Sequence, residues 1–275
     1  MKNDRIGIGV ATPNLWIGGV IVAMLIIAAL IGPRVTPFAY DKVLAGQKLE
    51  APSVLHPFGT DSLGRDMFSR VVYGARIALG IAAFGAGIAA CLGILPGLVA
   101  GYRGGWVDQA LSRLMDVWLA FPGTLLALVI VSRLGPSLQN TTLALGIVAA
   151  PSFYRLTRAA TLSARRALYV QAALSVGAGE DRILLRHILP NLASPLIVMA
   201  TMRSGTLLLA AGGLSFIGLG AQPPLPEWGS LLAAGRNYLD TAPWLAIYPG
   251  LCITLAVAGL NLLGDGLRDW MDPRG

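Results

Sequence analysis

Long apolar runs, separated by charged segments, constrain this chain more than any other feature. Six stretches, at about residues 15–32, 77–100, 114–131, 138–154, 195–219 and 244–263, approach the roughly 20 apolar residues that a bilayer-crossing helix needs. Of 275 residues, 55% are hydrophobic and only 13% charged, about half the charge of an ordinary soluble domain. One soluble core has no use for so much apolar sequence, so the pattern predicts an all-α integral membrane protein with six transmembrane helices and lipid as its surroundings. The net charge of +7 does not point to nucleic acid, because the basic residues sit between the apolar blocks and form no dense stripe.

The first run follows Lys2 and Arg5. It exceeds the apolar core of a signal peptide, about 7–15 residues, and Pro33-Arg34 does not look like a cleavage site, so it reads as a retained anchor. In the second run, Gly85, Ala89, Gly93, Gly97 and Gly101 recur at every fourth position and form one helix stripe. Such a stripe admits another helix backbone to backbone, where dispersion replaces the missing hydrophobic driving force. Pro96 should kink this helix near its end, and Pro122 should break the third run. The fourth run is the most polar, with Gln139, Asn140, Thr141 and Thr142 at one end and Pro151 near the other. Trp228, Tyr238 and Trp244 lie near run ends, where amphipathic rings favour the membrane interface.

Basic residues set the orientation. With the N-terminus inside, the inner segments carry Lys2, Arg5, Arg103, Arg155, Arg158, Arg165, Arg166, Arg182, Arg186, Arg268 and Arg274. The outer side receives Arg133, Arg236 and a long segment with Arg34, Lys42, Lys48, Arg65, Arg70 and Arg76. The densest basic loop, between Arg155 and Arg186, decides for both termini inside. The expected organisation is an inner N-terminus at 1–14, a first transmembrane helix at 15–32, an outer or interfacial segment at 33–76, a five-helix core at 77–264 containing an inner loop at 161–194, and an inner C-terminus at 265–275.

Catalytic chemistry is hard to find. Gly59-Thr60-Asp61-Ser62-Leu63-Gly64-Arg65-Asp66 has the glycine spacing of a phosphate-binding P-loop, but Arg65 and Asp66 stand where that loop needs Lys and Ser or Thr. The only lysines are Lys2, Lys42 and Lys48, so the chain should not hydrolyse ATP by itself. His56 and His187 fall in loops on opposite sides, which leaves no metal site, and no nucleophile–base set or acid pair emerges. Cys91 and Cys252 lie in apolar runs and read as small hydrophobes. Ionisable residues within spans are functional candidates because lipid burial is costly; these are Asp116 and Arg203. Asp116 can pair with Arg113 on one helix face. Arg203 has no acid nearby in sequence and should face the protein interior or an aqueous path.

The most informative stretch is the inner loop. Gln171 to Val176 reads as a short helix ended by Gly177 in a left-handed conformation. Glu180 and Asp181 suit the start of a second helix, Arg186 and His187 its other end, and Pro190 should stop it. The product is a helix-turn-helix on the inner membrane face with an Ala-rich tip able to sit in a groove.

Gln171-Ala172-Ala173, then Gly177, then Leu189-Pro190 resembles the cytoplasmic loop of ABC-importer permeases, whose pattern is Glu-Ala-Ala, three residues, Gly, nine residues, Ile-x-Leu-Pro. Gln171 replaces the usual Glu and His187 the first Ile. Three further stretches resemble the second, C-type permease subunit of the dipeptide, oligopeptide and nickel branch: His56-Pro57-Phe58-Gly59-Thr60-Asp61 running on to Asp66, Leu214-Ser215-Phe216-Ile217-Gly218-Leu219-Gly220, and Asn261-Leu262-Leu263-Gly264-Asp265-Gly266.

That resemblance implies the MetI-like type I importer fold in a bacterial inner membrane and transport of peptides or similar solutes by alternating access. It also implies a second homologous permease, two ATP-binding subunits that hold the ATP and magnesium, and an extracytoplasmic solute-binding protein. No cofactor is expected in this chain. On the same resemblance, Gln171, Ala172, Ala173, Gly177, Glu180, Asp181, Arg182, Leu189 and Pro190 would couple to the ATPases. A nickel or metal-chelate importer is the alternative within the branch. Outside it stand an ion-coupled secondary carrier, which would depend on Asp116 and Arg203 as its intramembrane charges, and a non-transporting scaffold.

Overall fold

A computed structural model describes residues 12–271, and within them every regular element is a helix. Lys2, Arg5 and Arg274, with the rest of 1–11 and 272–275, lie outside the described residues, and 265–271 of the expected inner C-terminus belong to the last helix.

Helix α1 (Pro13–Val35) begins with proline in its first turn, where the missing N–H costs nothing. Helix α2 (Met67–Arg103) spans 37 residues, about 55 Å at 1.5 Å per residue. It starts ten residues earlier than the apolar run at 77 because Asp66 caps it, accepting from Ser69 N at 2.7 Å. Its early Arg70 avoids lipid by donating to Tyr40 O at 3.0 Å.

The third run is two helices, α3 (Gly105–Leu119) and α4 (Gly123–Leu134), bent by 85° across the break that Pro122 closes. Helix α5 (Leu138–Ala164), capped by Ser137, continues well past the expected end at 154 and keeps Pro151 inside. Among the described residues, α1, α2, α9 (Ala193–Phe216) and α11 (Trp244–Met271) are each long and apolar enough to cross a membrane, and the bent pair makes five. The remaining expected span, α5, is long enough but carries Asn140, Thr141, Thr142, Arg155 and Arg158.

Packing explains how α5 tolerates that polarity, for it lies along α2 on the small-residue stripe. A Cβ placed on Gly93 would collide with Ala150 O, on Gly97 it would sit 2.8 Å from Tyr154 O, and on Gly101 2.7 Å from Arg158 O. Gly85 instead faces Leu207 of α9, as expected of a stripe that drifts around the helix. Helix α1 packs on α11 and α2, and α9 packs on α11.

Helix α10 (Trp228–Gly235) is too short to cross and wedges between α9, α11 and α2. Trp228 Nε1 donates to Val71 O at 2.9 Å, and Glu227 caps α10 through Ser230 N at 2.9 Å. Burial pushes the Glu227 carboxyl above its ordinary range, against the pull of the backbone N–H groups of Gly229 and Ser230.

The segment ahead of α2 is a polar knot. Asp61 accepts from Leu63 N at 2.8 Å, Arg65 N at 2.9 Å and Arg65 Nε at 2.6 Å. Gly59 and Gly64 both turn at φ +70°, and Thr60 bridges to Asp66. Those bonds account for the glycine and aspartate spacing that imitates a P-loop. Asp66 is used up capping α2.

Candidate functional site

Between α5 and α9 the chain forms α6 (Leu168–Ser175), a turn, α7 (Glu180–Arg182), a π-helical turn (Ile183–Ile188) and α8 (Leu189–Asn191). Gly177 ends α6 at φ +79°, a conformation costly for any residue with a Cβ. Gly177 N donates to Leu174 O at 2.9 Å and Ala178 N to Ala173 O at 3.0 Å, the paired bonds of a Schellman cap. Glu180 opens the second helix.

Pro190 does not stop that helix, contrary to the sequence expectation. It occupies the first turn of α8, directly after the π turn, and helical structure runs on to Asn191 with a break only at Leu192. A proline ring clashes with the preceding turn of a regular α-helix, and widening to i→i+5 bonding, as in Leu189 N to Leu184 O, relieves it.

The loop has two faces. Val170, Ala173, Ile183, Leu184 and Ile188 are buried against Leu98 and Ala89 of α2 and Phe153 of α5. Gln171, Ala172, Gly177, Asp181, Arg182 and Pro190 are exposed, with Glu180 and Leu189 half-buried. Ala173 therefore faces the permanent core rather than the outer groove-filling tip. Leu168 and Val176, at 83% and 84% exposed, leave apolar surface uncovered on the outward side. Gln171 turns back on its own chain, donating from Nε2 to Arg166 O at 3.3 Å.

One ion pair ties the loop to α2. Arg103, in the last turn of α2, donates from Nε to Glu180 Oε1 at 2.7 Å and from Nη2 to Oε2 at 3.3 Å, a fork-on-fork geometry. Neither the apolar pattern nor residue spacing announces it, because the partners are 77 residues apart. Beside it, amphipathic α3 is clamped to α5 by three polar links. Arg158 Nη2 donates to Asp108 Oδ2 at 2.6 Å, Ser112 and Tyr154 share a 2.9 Å hydroxyl bond, and Arg155 Nη2 donates to Asp116 Oδ1 at 3.1 Å. The expected Arg113–Asp116 pair is replaced by this last one, and Asp116 is 62% exposed. Cross-helix pairing wins because α5 presents Arg155 across the α3 surface, whereas Arg113 would serve only its own helix.

Arg203 lies elsewhere. It projects from α9 into a cleft of about 640 Å³ between α9, α11 and the end of α5, and donates from Nη2 to Ser152 Oγ at 2.8 Å. Structure thus separates the two intramembrane candidates: Asp116 is an exposed clamp on α3, and Arg203 lines a cavity. The histidines are separated too. His56 is fully buried, with Nδ1 at 2.9 Å from Asp66 Oδ1 and its ring stacked on Phe38, whereas His187 is half-buried in the loop. Among the described residues no three His, Cys, Asp or Glu side chains gather as a metal site.

Residues 93–274, which include the loop, the α9–α11 cleft and the C-terminal end of α2, match the family model of the binding-protein-dependent transport system inner membrane component. The chain belongs to this family. The permease is 45% identical over 258 residues to the dipeptide transport system permease protein DppC of Alkalihalophilus pseudofirmus, covering 94% of this chain and 85% of that protein. It is 45% identical over 254 residues to the glutathione transport system permease protein GsiD of Escherichia coli O157:H7, covering 92% and 84%. The corresponding protein of Pectobacterium atrosepticum is 43% identical over 257 residues, covering 93% and 85%.

The fold resembles the MetNI methionine ABC transporter in inward-facing conformations, with a TM-score of 0.59 at 18% identity over 74% of this chain and 97% of that one. The MetI-like permease fold expected from the sequence is therefore present. The permease is a multi-pass inner-membrane ABC transport subunit, non-catalytic, whose family works with a binding protein and ATPase partners. Family membership sets aside the secondary carrier and the scaffold.

Proposed function

We propose that the permease forms half of the channel of an ATP-driven importer for di- or oligopeptides, glutathione-like peptides included. The observation that carries the substrate class is identity of about 45%, over more than nine-tenths of the chain, to permeases named for dipeptide and glutathione transport. Both named solutes are small peptides with free carboxylates. The other channel half is a second, homologous permease; two ATP-binding subunits sit on the cytoplasmic side, and an extracytoplasmic binding protein delivers the solute.

In this reading six spans place both termini in the cytoplasm. Helix α5 is the fourth span, its polar face sheltered by α2 and the partner permease, and the segment at 36–66 faces outward. The loop from Gln171 to Pro190 meets the ATPases. Uncovered Val176, with Leu168 at the start of α6 and exposed Gln171 and Ala172 beside them, supplies an apolar patch with a polar margin. When ATP draws the ATPases together, the loop moves as one piece because its buried side is packed. The Arg103–Glu180 pair passes that motion to α2, which carries α5 along through the glycine contact. Gln171 offers a hydrogen bond where relatives with Glu offer a charge.

Extraction from the native membrane in mild detergent, followed by mass spectrometry, tests the assembly. A second permease and ATPase subunits should co-purify. Reconstituted with the binding protein, the complex should import labelled dipeptide only with ATP inside. A permease recovered alone, or uptake that persists without ATP and stops with a proton uncoupler, would overturn the reading.

A further inference from the structure

We propose that Arg203 is the anion-recognising group of a transit site for the substrate's carboxylate, set in the cleft between α9 and α11; this rests on the peptide-import reading above. The cleft measures about 640 Å³, within the range of small-solute sites, roughly 300–1,000 Å³. Val198, Met199, Met202 and Met271 give it an apolar wall, and Thr206 and Asn261 add polar groups.

The guanidinium is the feature that needs a partner. Among the described residues it makes no ion pair, and its one side-chain bond, to Ser152 Oγ, leaves most of its N–H donors open. Arg203 is ten residues beyond the start of α9 and thirteen short of its end, so it lies about 15 Å from the nearer end at 1.5 Å per residue. That is close to the middle of a hydrocarbon layer about 30 Å thick. A lipid phosphate sits at the edge of that layer, too far away to serve as a standing counter-ion. A carboxylate travelling through the cleft reaches the right depth.

The walls agree with a peptide cargo. Methionine is unbranched and polarisable, and accommodates side chains of different shape. A peptide series varies in its side chains and keeps its carboxylate, so a fixed cation in a yielding apolar wall suits it. Arg268, three residues from the end of α11, lines the same cleft and is its second cationic side chain.

The test uses the complete transporter in phosphatidylcholine vesicles, with labelled alanyl-alanine and labelled glutathione as probes and uptake per ATP hydrolysed as the readout. Arg203→Gln keeps a donor for Ser152 but removes the charge, and should lower uptake about tenfold, as loss of a charge-assisted bond does. Arg203→Lys keeps the charge and should stay within about threefold of wild type. Met202→Glu leaves Arg203 in place, offers it an internal carboxylate, and should lower uptake as Arg203→Gln does. Wild-type uptake by Arg203→Gln would reduce the arginine to a tether on α5. Equal loss in Lys and Gln variants, or wild-type uptake by Met202→Glu, also overturns the site. A Lys–Gln difference seen only when phosphatidylglycerol is added would assign the anion to lipid and overturn the substrate site. A wild-type complex that hydrolyses ATP but imports neither probe would overturn the peptide reading itself, and this site with it.

Discussion

Two stretches outside the long helices, 36–66 ahead of α2 and 165–192 ahead of α9, are held in place by opposite means. The first is a network of buried polar groups. Fully buried His56 and Asp66 meet at 2.9 Å, Asp66 also receives Ser69 N and Ser69 Oγ, and Asp61 gathers Leu63 and Arg65. Such bonds are directional, and a displacement breaks several buried ones at once. The second rests on Val170, Ile183, Leu184 and Ile188 against α2 and α5, plus one exposed ion pair. Apolar contact is non-directional, and an exposed pair contributes little to stability. On the reading proposed above, the first region stays put and the second shifts while remaining attached. A transporter needs both, since a moving element does work only against a fixed one.

The sharpest break in that comparison is Asp66→Ala. It removes the cap of α2 and leaves His56 buried without its partner, and should destabilise by about 3 kcal/mol, read as a large fall in the thermal midpoint of the purified complex. A midpoint within a degree or so of wild type would mean the knot is ornamental. Gly93→Leu comes next, because its Cβ meets the backbone of α5 at Ala150 O. Overpacking there should cost about 2 kcal/mol, and full recovery of folded complex on size exclusion would refute the rigid α2–α5 unit.

In the loop the effects turn from stability to coupling. Gly177→Ala should lower stability by about 1 kcal/mol, since φ +79° is strained for alanine. Gly177→Pro cannot adopt that angle at all, and should uncouple ATP hydrolysis from uptake with the protein still in the membrane. Normal coupled uptake in Gly177→Pro would count against the loop's role. The smallest stability effect is expected from Arg103→Glu, with no measurable change in thermal midpoint but reduced uptake. Adding Glu180→Arg in the same chain restores the pair in reverse and should recover transport. If the double variant is no better than the single, the pair does not carry motion from the loop to α2.

The helices were legible because lipid imposes a simple code. Apolar length predicts α1 and α9 closely and the start of α11, which runs on to Met271 past the expected end at 263, and the recurrence from Gly85 to Gly101 predicts a backbone-to-backbone face without naming α5 as its partner. Local caps were legible too, with Gly177 and Glu180 at the turn and helix start where their conformational and charge preferences put them. What failed did so where a distant segment decided the outcome. The apolar run of α2 begins only at 77, and Arg65, Arg70 and Arg76 precede it, yet the helix starts at Met67 and its Arg70 is received by Tyr40 O and Asp61. Pro190 looked like a helix end until the π turn made room for it. Asp116 looked paired to Arg113 until α5 brought Arg155 across.

Sequence by itself determined that this chain lives in a membrane, which stretches are helical, and where the loop turns, because each follows from local composition and backbone preference. Its residues also carried the family resemblance. Tertiary structure alone decided that Ala173 faces the core, that Arg103 grips Glu180, and that Arg203 opens into a cleft while Asp116 does not. Those outcomes depend on which helix lies beside which, and in lipid that is settled by close packing and by pairing of polar groups far apart in the chain.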